Sequence, residues 1–335
     1  MPKKSKMPTK TSDLTALAGE LTKHRSFLVT THTDPDGDGV GSLLAFSRLL
    51  RASGARDVRL LMAAPVPKSL AWLPGADDVE IDNDAHISPV DCAVILDTSP
   101  RSRTGLAAAH FEAAGRTVVI DHHTEVELQA DLSFVAPEYA AVGEIIAELF
   151  DCLGLAIDEK AALCMYVAQI TDTGGYRFSN TNARTHRLAA RFVEAGVDAG
   201  QVAGRVLDDV DPARFYLMRR VYETMEFYAN GCVACATIPL EALEACPDSE
   251  EHTTNLANIG RNITGVGVSI VLRETAPGKV KVSARSRPGF SCVALAKKHG
   301  GGGHQAAAGF TLETSLAQAK TDTLREIKDM LEARE

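Results

Sequence analysis

The sequence predicts an α/β protein, in which a parallel sheet flanked by helices is followed by a smaller α+β domain. Two observations predict the sheet. Apolar or β-branched runs typical of strands occur at 27–32, 58–64, 91–97 and 117–121, and helical patterns such as 40–52 and 103–114 lie between them. Such alternation indicates a parallel sheet with helices on both faces. A third observation, a change of pattern near Asn230, predicts the second domain.

The elements after the sheet complete the predicted order. Helical patterns dominate the region 143–228, with candidate N-cap residues at Asp158, Asn182 and Asp211. Strand patterns then follow at 232–238, 265–274 and 279–286, before a short helix at 292–298, a glycine run and a last helix at 315–333. We therefore expect a disordered tail over 1–12, a first domain over 13–198, a helical linker over 199–229 and a second domain over 230–335.

Composition and charge restrict the function. The 335 residues carry a formal net charge of −9, so no general basic surface attracts long nucleic acid, and a nucleic-acid substrate must be short and held locally. No apolar run approaches the roughly 18–20 residues that span a bilayer, and the lysine-rich N-terminus is not followed by a secretory hydrophobic segment. The seven dispersed cysteines are typical of reduced thiols. We expect a cytoplasmic protein without a membrane partner.

Side chains that can bind metal follow the ends of several predicted strands. They are His32, Asp34, Asp36 and Asp38 after the first strand, Asp97 after the third, Asp121, His122 and His123 after the fourth, and Asp172 after a helix. Because neighbouring parallel strands end at one edge of a sheet, these groups should converge there. Clustered carboxylates repel one another unless a divalent cation joins them. Oxygen ligands with imidazoles suit Mn²⁺ or Mg²⁺, and two cations about 3.5–4 Å apart commonly cleave phosphate esters.

Each of these residues also has an ordinary explanation by itself. His32 could be a hydrogen-bonded loop residue, and the aspartates around Pro35 and Gly37 could be turn residues. Asp121 and the two histidines that follow it could be a solvated strand end. The segment "DPDGDG" also resembles the start of a calcium loop, but Ala45 stands where that loop needs glutamate. Turn chemistry does not explain all the groups together, and the cation site remains the prediction.

The motifs, taken in order, resemble those of a known family. "HTDPDGDGVGS", "DTS", "DHH" and "TDTGGYRF" are similar to the motifs of the DHH phosphoesterase family, with Asp34 where many members have asparagine. "VKVSARSR" and "GGGGHQAAAGF" resemble the family's accessory nucleotide-binding domain, DHHA1. The resemblance covers nearly the whole chain. It implies a DHH catalytic domain, a DHHA1 substrate-binding domain and an active site in the cleft between them.

The resemblance also implies ligands for two divalent cations, usually Mn²⁺, with Mg²⁺ as the alternative. One cation would be held by His32, Asp36 and Asp97, and the other by Asp38, Asp97, His122 and Asp172, so that Asp97 bridges them. His123 would face the phosphate of the substrate, and Asp121 would accept a hydrogen bond from an imidazole and orient it. The catalytic residues implied are therefore Asp97, Asp121 and His123.

A glycine run in the second domain is a predicted phosphate contact. Without side chains, the backbone amides around Gly302 and Gly303 can approach an anion closely. His304, the next residue, would add a donor. A plain loop between a helix and a strand is the alternative.

Arginines of the same domain are the other predicted contacts. Arg285 and Arg287 alternate along a strand with Ser286 on the other face, and all three are expected to lie near the substrate. Arginine suits bidentate phosphate contact or stacking on a base, although a solvated charged edge would have the same pattern. Arg261 and Arg103 are weaker candidates, and Arg103 matches an arginine that often follows the bridging aspartate in the family.

Comparison within the family narrows the expected activity. Soluble pyrophosphatases have a different second domain, RecJ-type exonucleases carry an additional OB domain, and membrane-bound cyclic-dinucleotide phosphodiesterases need transmembrane segments. The compact oligoribonuclease type remains, which hydrolyses short oligoribonucleotides to mononucleotides and 3′-phosphoadenosine 5′-phosphate to AMP. A soluble phosphodiesterase for linear or cyclic dinucleotides is the alternative, and a sensor that binds metal and nucleotide without catalysis is a third hypothesis. A homodimer is expected by analogy alone.

Overall fold

The chain divides into two compact units. The structure, a computed structural model, describes residues 9–11, 13–82, 90–97, 107–123, 128–246, 252–253 and 255–333. The division lies between Asp209 and Val210. Within the described ranges, no helix combines the length and the apolar character needed to cross a membrane.

The first unit is built on a seven-stranded sheet with the order β1-β7-β6-β5-β2-β3-β4. Its strands are β1 (Thr9–Thr11), β2 (Ser26–Thr30), β3 (Asp57–Met62), β4 (Val79–Ile81), β5 (Cys92–Leu96), β6 (Arg116–Asp121) and β7 (Leu132–Val135). Every pairing between them is parallel. Since β2 lies between β3 and β5, the strand order reverses there. Ligands of open parallel sheets bind at such a reversal, outside the carboxyl ends of the strands.

Helices cover both faces of this sheet, as predicted. They are α1 (Leu14–Leu21), α2 (Gly37–Ala52), α3 (Ala107–Ala113), α4 (Val142–Cys152), α5 (Glu159–Asp172), α6 (Ala183–Glu194) and α7 (Ala199–Ala203), with a π-helical turn at Gly204–Asp208. Alternate residues of β5 face opposite ways. Val94 packs in the core that α2, α4 and α5 share, while Ile95 packs in a smaller cluster with Phe111 of α3. The side-chain period of two explains this double burial.

In the first unit, the predicted strands are present and the structure adds a short strand that the sequence did not predict. The expected strands at 27–32, 58–64, 91–97 and 117–121 are confirmed as β2, β3, β5 and β6. The tail prediction is wrong for Thr9–Thr11, which pair with Leu132–Phe134 of β7. An edge strand offers unpaired backbone groups, and β-branched threonine fits a pleated strand, so three residues suffice to extend the sheet.

The second unit has a six-stranded sheet with the order β12-β13-β11-β10-β9-β8. Its strands are β8 (Glu226–Tyr228), β9 (Val233–Ile238), β10 (Val268–Ala276), β11 (Lys279–Ser286), β12 (Gly302–His304) and β13 (Ala307–Leu312). The β9–β10 pair is parallel and the other pairs are antiparallel. One face packs α11 (Cys292–Lys297) and α12 (Leu316–Glu332). The other packs α8 (Pro212–Thr224), α9 (Leu240–Glu244) and α10 (Asn258–Arg261). This is the expected α+β arrangement.

Helix starts agree with the sequence, whereas the domain boundaries stay a prediction. The side chains of Asp158, Asn182 and Asp211 each accept hydrogen bonds from the amides of the helix that they precede. The division after Asp209 falls inside the predicted linker 199–229, with α7 before it and α8 after it. The predicted cleft between the domains likewise stays a prediction.

Candidate metal centre

Acidic and imidazole side chains of the first unit collect around the carboxyl ends of β2, β5 and β6. They are His32 after β2, Asp36 and Asp38 at the start of α2, Asp97 after β5, His122 and His123 after β6, and Asp172 at the end of α5. The strand order explains their convergence, because β6, β5 and β2 are consecutive neighbours in the sheet.

A first group consists of His32, Asp36 and Asp97. Nε2 of His32 lies 3.8 Å from Oδ1 of Asp36 and 3.5 Å from Oδ2 of Asp97. One ligand atom from each residue lies within 4.8 Å of the other two. A single cation placed among them could therefore contact all three.

A second group consists of Asp38, His122 and Asp172. Nε2 of His122 lies 3.3 Å from Oδ2 of Asp172 and 3.7 Å from Oδ2 of Asp38. The same nitrogen lies 3.5 Å from Oδ1 of Asp97. Asp97 thus presents one oxygen to each group, which is the geometry that a bridging carboxylate needs.

His123 is tied to Asp121. Nδ1 of His123 lies 2.7 Å from Oδ1 of Asp121, which also accepts the backbone N–H of His123 at 3.0 Å. Asp121 is fully buried, so its carboxylate holds the imidazole in one orientation. Together with Asp97 and His122, His123 forms a third set of ligand atoms within 4.8 Å of one another.

Helix ends fix the two aspartates of α2. Oδ1 of Asp36 accepts the amides of Asp38 and Gly39 and so caps α2 itself. Asp38 instead accepts the amides at the start of α4, Oδ2 from Val142 at 2.7 Å and Oδ1 from Gly143 at 3.2 Å. The positive end of the α4 dipole therefore helps to hold a carboxylate that comes from another helix.

Backbone contacts also orient His122 and Asp97. Nδ1 of His122 lies 3.2 Å from the carbonyl oxygen of Tyr139. Since a carbonyl only accepts, Nδ1 carries a proton, and Nε2 is left facing the carboxylates, where it can bind a cation once it loses its own proton. Asp97 has a φ of 57°, a left-handed conformation that few residues other than glycine, asparagine and aspartate adopt. Non-glycine residues in this conformation cluster at functional sites.

The donor set fits divalent cations. Oδ1 of Asp97 is buried and accepts no hydrogen bond within the described part of the chain, although imidazole nitrogens of His122 and His123 lie 3.5 and 3.6 Å away. This buried oxygen, which lies where the two ligand groups meet, is therefore free to bind a cation, as a bridging carboxylate must be. Carboxylate oxygens with an imidazole in each group suit a cation of the Mn²⁺ or Mg²⁺ type.

Electrostatics shows that the cluster needs positive charge. Burial, followed by the charge of Asp97, raises the pKa of Asp38 to about 7, and burial with the charge of Asp38 raises the pKa of Asp172 well above its usual range. Burial lowers the pKa of His32, but Asp36 and Asp97 outweigh it and raise the pKa to about 9. Burial also lowers the pKa of His122, but its carboxylate neighbours outweigh burial and raise the pKa well above its usual range. A divalent cation supplies the same charge and displaces these protons.

Three of the four predicted arginine contacts, Arg261, Arg285 and Arg287, lie beside one another in the second unit. Arg285 donates from Nη1 to the carbonyl of Ala284 and from Nη2 to Oδ1 of Asn255, each at 3.0 Å, and burial lowers its pKa. Arg287 is exposed and donates from Nη2 to the carbonyl oxygen of Arg261 at 3.2 Å. Arg103 lies outside the described residues.

Ser286 and the glycines have structural contacts, and their substrate contacts stay predictions. Ser286 is 2% exposed and donates to the carbonyl of Phe290, closing the turn after β11. Gly302 and Gly303 lie in the edge strand β12. A Cβ at Gly303 would lie 2.5 Å from the carbonyl oxygen of Ala307, so close approach to β13 requires glycine there. The side chain of His304 is outside the described part of the chain.

Several contributors were not foreseen from the sequence. Ser42 donates to Oδ1 of Asp38 at 2.7 Å, and Asn255 accepts from Arg285. Ser42 lies four residues after Asp38 on α2, a spacing that places the two side chains on one helix face and could have indicated the contact. No local pattern announces Asn255, because its partner lies 30 residues away.

Known proteins share both units of this chain. Residues 26–169 match the DHH family, N-terminal domain, and residues 249–333 match the DHHA1 domain. The bifunctional oligoribonuclease and PAP phosphatase NrnA of Thermus thermophilus is 34% identical over 304 residues, which cover 90% of this chain and 89% of the relative. The protein of that name from Bacillus subtilis is 24% identical over 301 residues, or 89% of this chain and 93% of the relative.

A solved structure supports the fold. An exopolyphosphatase-related protein from Bacteroides fragilis is similar with a TM-score of 0.88 at 24% identity, covering 95% of this chain and 97% of the other. That likeness concerns the fold alone, whereas the domain matches and the Thermus relative concern the family. The chain therefore belongs to the DHH family and carries a DHHA1 domain, as its motifs predicted.

Proposed function

We propose that this protein is a two-metal phosphoesterase that hydrolyses short oligoribonucleotides to mononucleotides and 3′-phosphoadenosine 5′-phosphate to AMP. The observation that carries the proposal is the pair of ligand groups, between which Asp97 directs one oxygen to His32 and the other to His122. The substrate class comes from the relatives in Thermus thermophilus and Bacillus subtilis, whose names are bifunctional oligoribonuclease and PAP phosphatase. The net charge of −9 agrees with a short substrate held by local contacts.

Each residue of the centre has a proposed role. His32, Asp36 and Asp97 would hold one cation, and Asp38, His122 and Asp172, again with Asp97, would hold the other. When bound, the cations would supply positive charge to the phosphate and lower the pKa of the attacking water. His123, oriented by Asp121, would donate to an oxygen of the phosphate as negative charge develops there.

The second unit would hold the rest of the nucleotide. Among the described residues, the hydrogen-bond partners of Arg285 are neutral, namely the carbonyl oxygen of Ala284 and the amide oxygen of Asn255, so its charge is available to a phosphate. Arg261 and Arg287 would add cationic contacts, the backbone of Gly302 and Gly303 with His304 would add donors, and Arg103 of the first unit would add a further cationic contact. These contacts would position the phosphorus, which contributes to rate as well as affinity.

Mn²⁺ is the proposed cation, because each ligand group includes an imidazole, whereas Mg²⁺ favours oxygen ligands and retained water. A cytoplasmic location is proposed from the cysteines, all seven of which are free. A homodimer is proposed by analogy with other members of the family, and sedimentation of the full chain tests it.

A substrate panel tests the function. The full chain, freed of metal with chelator, would be supplied with Mn²⁺ or Mg²⁺ and given a 5′-phosphorylated diadenylate, 3′-phosphoadenosine 5′-phosphate and a cyclic dinucleotide. We expect AMP from the first two, with greater turnover in Mn²⁺. Hydrolysis of the cyclic dinucleotide alone would overturn the substrate assignment, and no hydrolysis by protein that has bound both cations would overturn the enzyme assignment.

A matched pair of variants tests the site. Asp97→Asn should lower turnover strongly and weaken cation binding in calorimetric titration, because asparagine is uncharged and offers one oxygen where Asp97 offers one to each group. Asp77→Asn removes an exposed carboxylate of the same unit and should leave both measurements unchanged. Full turnover in Asp97→Asn would contradict the proposal.

A further inference from the structure

Helix α2 begins with glycine at every second position. Gly37, Gly39 and Gly41 alternate with Asp38 and Val40 at the start of a helix of 16 residues. Glycine is a poor helix former, and none of these three has a positive φ. Alanine could therefore adopt the same backbone, and the reason for glycine must be the space around it.

Gly39 faces the first ligand group. A Cβ at this position would lie 2.8 Å from Oγ1 of Thr31 and 3.3 Å from Nε2 of His32. That nitrogen is the atom directed at Asp36 and Asp97. A methyl group at position 39 would thus press on the imidazole at the atom by which it would bind a cation.

Gly41 faces α5, the helix that carries Asp172 of the second ligand group. A Cβ here would lie 2.4 Å from the carbonyl oxygen of Cys164 and 3.2 Å from the Cβ of Ala168, both in α5. An ordinary contact is about 3.5 Å, so α5 would have to move away by about 1 Å. Asp172 is the last residue of α5 and would move with it.

We propose that Gly39 and Gly41 are positioning residues that set the spacing of the two cation sites separately, Gly39 for the site of His32 and Gly41 for the site of Asp172. The inference rests on the proposed two-metal function. Metal–ligand distances tolerate only about 0.2 Å, and a close-packed interior passes a displacement on to its neighbours. Gly39 therefore governs the ligand group that it contacts, and Gly41 governs the group whose Asp172 ends the helix that it contacts.

Counting bound Mn²⁺ tests this directly. Free Mn²⁺ would be measured by electron paramagnetic resonance during titration of the full chain, compared with Gly39→Ala, Gly41→Ala and the control Gly19→Ala. No atom of the described residues lies within 4 Å of a Cβ at Gly19 in α1, so the control should bind two ions. Each test variant should keep one ion at the original affinity and bind the other at least tenfold more weakly.

A second substitution assigns the weakened site. In a His32→Asn background, Gly39→Ala should cause no further loss of Mn²⁺ affinity, whereas Gly41→Ala should weaken binding of the remaining ion. The reason is that the free-energy effects of substitutions at independent sites add, whereas those of substitutions at one shared site do not. Equal weakening of both ions by both variants would overturn the inference, as would two unaltered ions. Wild-type protein that binds fewer than two ions would instead overturn the proposed function.

A second pair of substitutions tests the same helix spacing in case Gly41→Ala does not fold. A Cβ at Gly143 would lie 2.7 Å from the Cβ of Ala168, so Gly143→Ala should also weaken the site of Asp172. Adding Ala168→Gly removes the nearest of the close atoms, leaving the carbonyl oxygen of Met165 at 3.2 Å, and should restore at least tenfold of the lost affinity. Failure of that rescue while both proteins remain folded by circular dichroism would overturn the role assigned to α5 spacing.

Discussion

The hydroxyl of Ser42 should control how tightly the second ligand group binds a cation. Its Oγ donates to Oδ1 of Asp38 at 2.7 Å, and neither side chain is exposed. Burial raises the pKa of Asp38 to about 7, so the carboxyl is poised between its neutral and ionised forms near neutral pH. Ser42→Ala removes a hydrogen bond that favours the ionised form, and only that form is a ligand.

The magnitude follows from the kind of bond that is lost. A hydrogen bond to a charged group contributes about 1.5–3 kcal/mol, and about 1.4 kcal/mol corresponds to a tenfold change in affinity. Ser42→Ala should therefore weaken Mn²⁺ binding at the second group by about tenfold to a hundredfold at pH 7. The amides of Val142 and Gly143 still bind Asp38, which keeps the loss from being complete.

Ser47 provides the matched control. It lies on the same helix, is 2% exposed, and donates from Oγ to the carbonyl of Leu44 at 2.8 Å. Ser47→Ala removes a buried hydrogen bond of similar length without touching a ligand. Calorimetric titration with Mn²⁺ should show the weakened site in Ser42→Ala alone. Equal affinities in the two variants would refute the reasoning that links Ser42 to the ionisation of Asp38.

Three further predictions concern charge and geometry. Asp97→Asn should lower turnover by a factor on the order of a thousand or more while keeping the far-UV circular dichroism, since asparagine tolerates a φ of 57°; normal turnover would contradict it. Mn²⁺ affinity should rise with pH up to about 9, because Asp38, with a pKa of about 7, and His32, with a pKa of about 9, must lose their protons before they bind the cation. Calorimetry in buffers of different ionisation enthalpy counts the protons released, and an affinity that does not change with pH would contradict this prediction. Arg285→Ala should raise KM several-fold and leave Mn²⁺ binding intact, whereas Lys281→Ala, exposed on the same strand, should change neither; an unaltered KM in Arg285→Ala argues against a phosphate contact.

Strand ends were the predictable part of the candidate site. Hydrophobic runs locate β2, β5 and β6, and whatever follows each run must lie at the carboxyl edge of a parallel sheet. His32, Asp97 and His122 therefore converge for a reason that is visible in the sequence. The strand order was not visible, because pairing between β2 and β5 depends on contacts far apart along the chain.

Contacts between separate elements were the unpredictable part. The start of α4 binds Asp38 across 104 residues, and nothing local in either segment indicates the other. β12 is an edge strand of three residues, and its glycines predict a loop because glycine disfavours strands. The close approach of β13 explains why glycine occurs in this strand. Three residues at the N-terminal edge, Thr9–Thr11, similarly lack any periodicity that could distinguish a strand from a tail.

The same long-range contacts explain how repelling carboxylates can be held together. Asp36 and Asp38 are bound mainly by backbone amides of α2 and α4, and amides at the ends of packed helices cannot rotate away as side-chain donors can. The cost of clustering appears as the raised pKa of Asp38, while rigidity keeps the oxygens aimed at common points. A cation that binds there has little ordering to perform, so most of the repulsion that it relieves is available as binding free energy. The glycines of α2 and the helix-end hydrogen bonds therefore act together. Close packing at the glycines sets the positions of the ligand residues, and the backbone amides set the directions of their carboxylate oxygens.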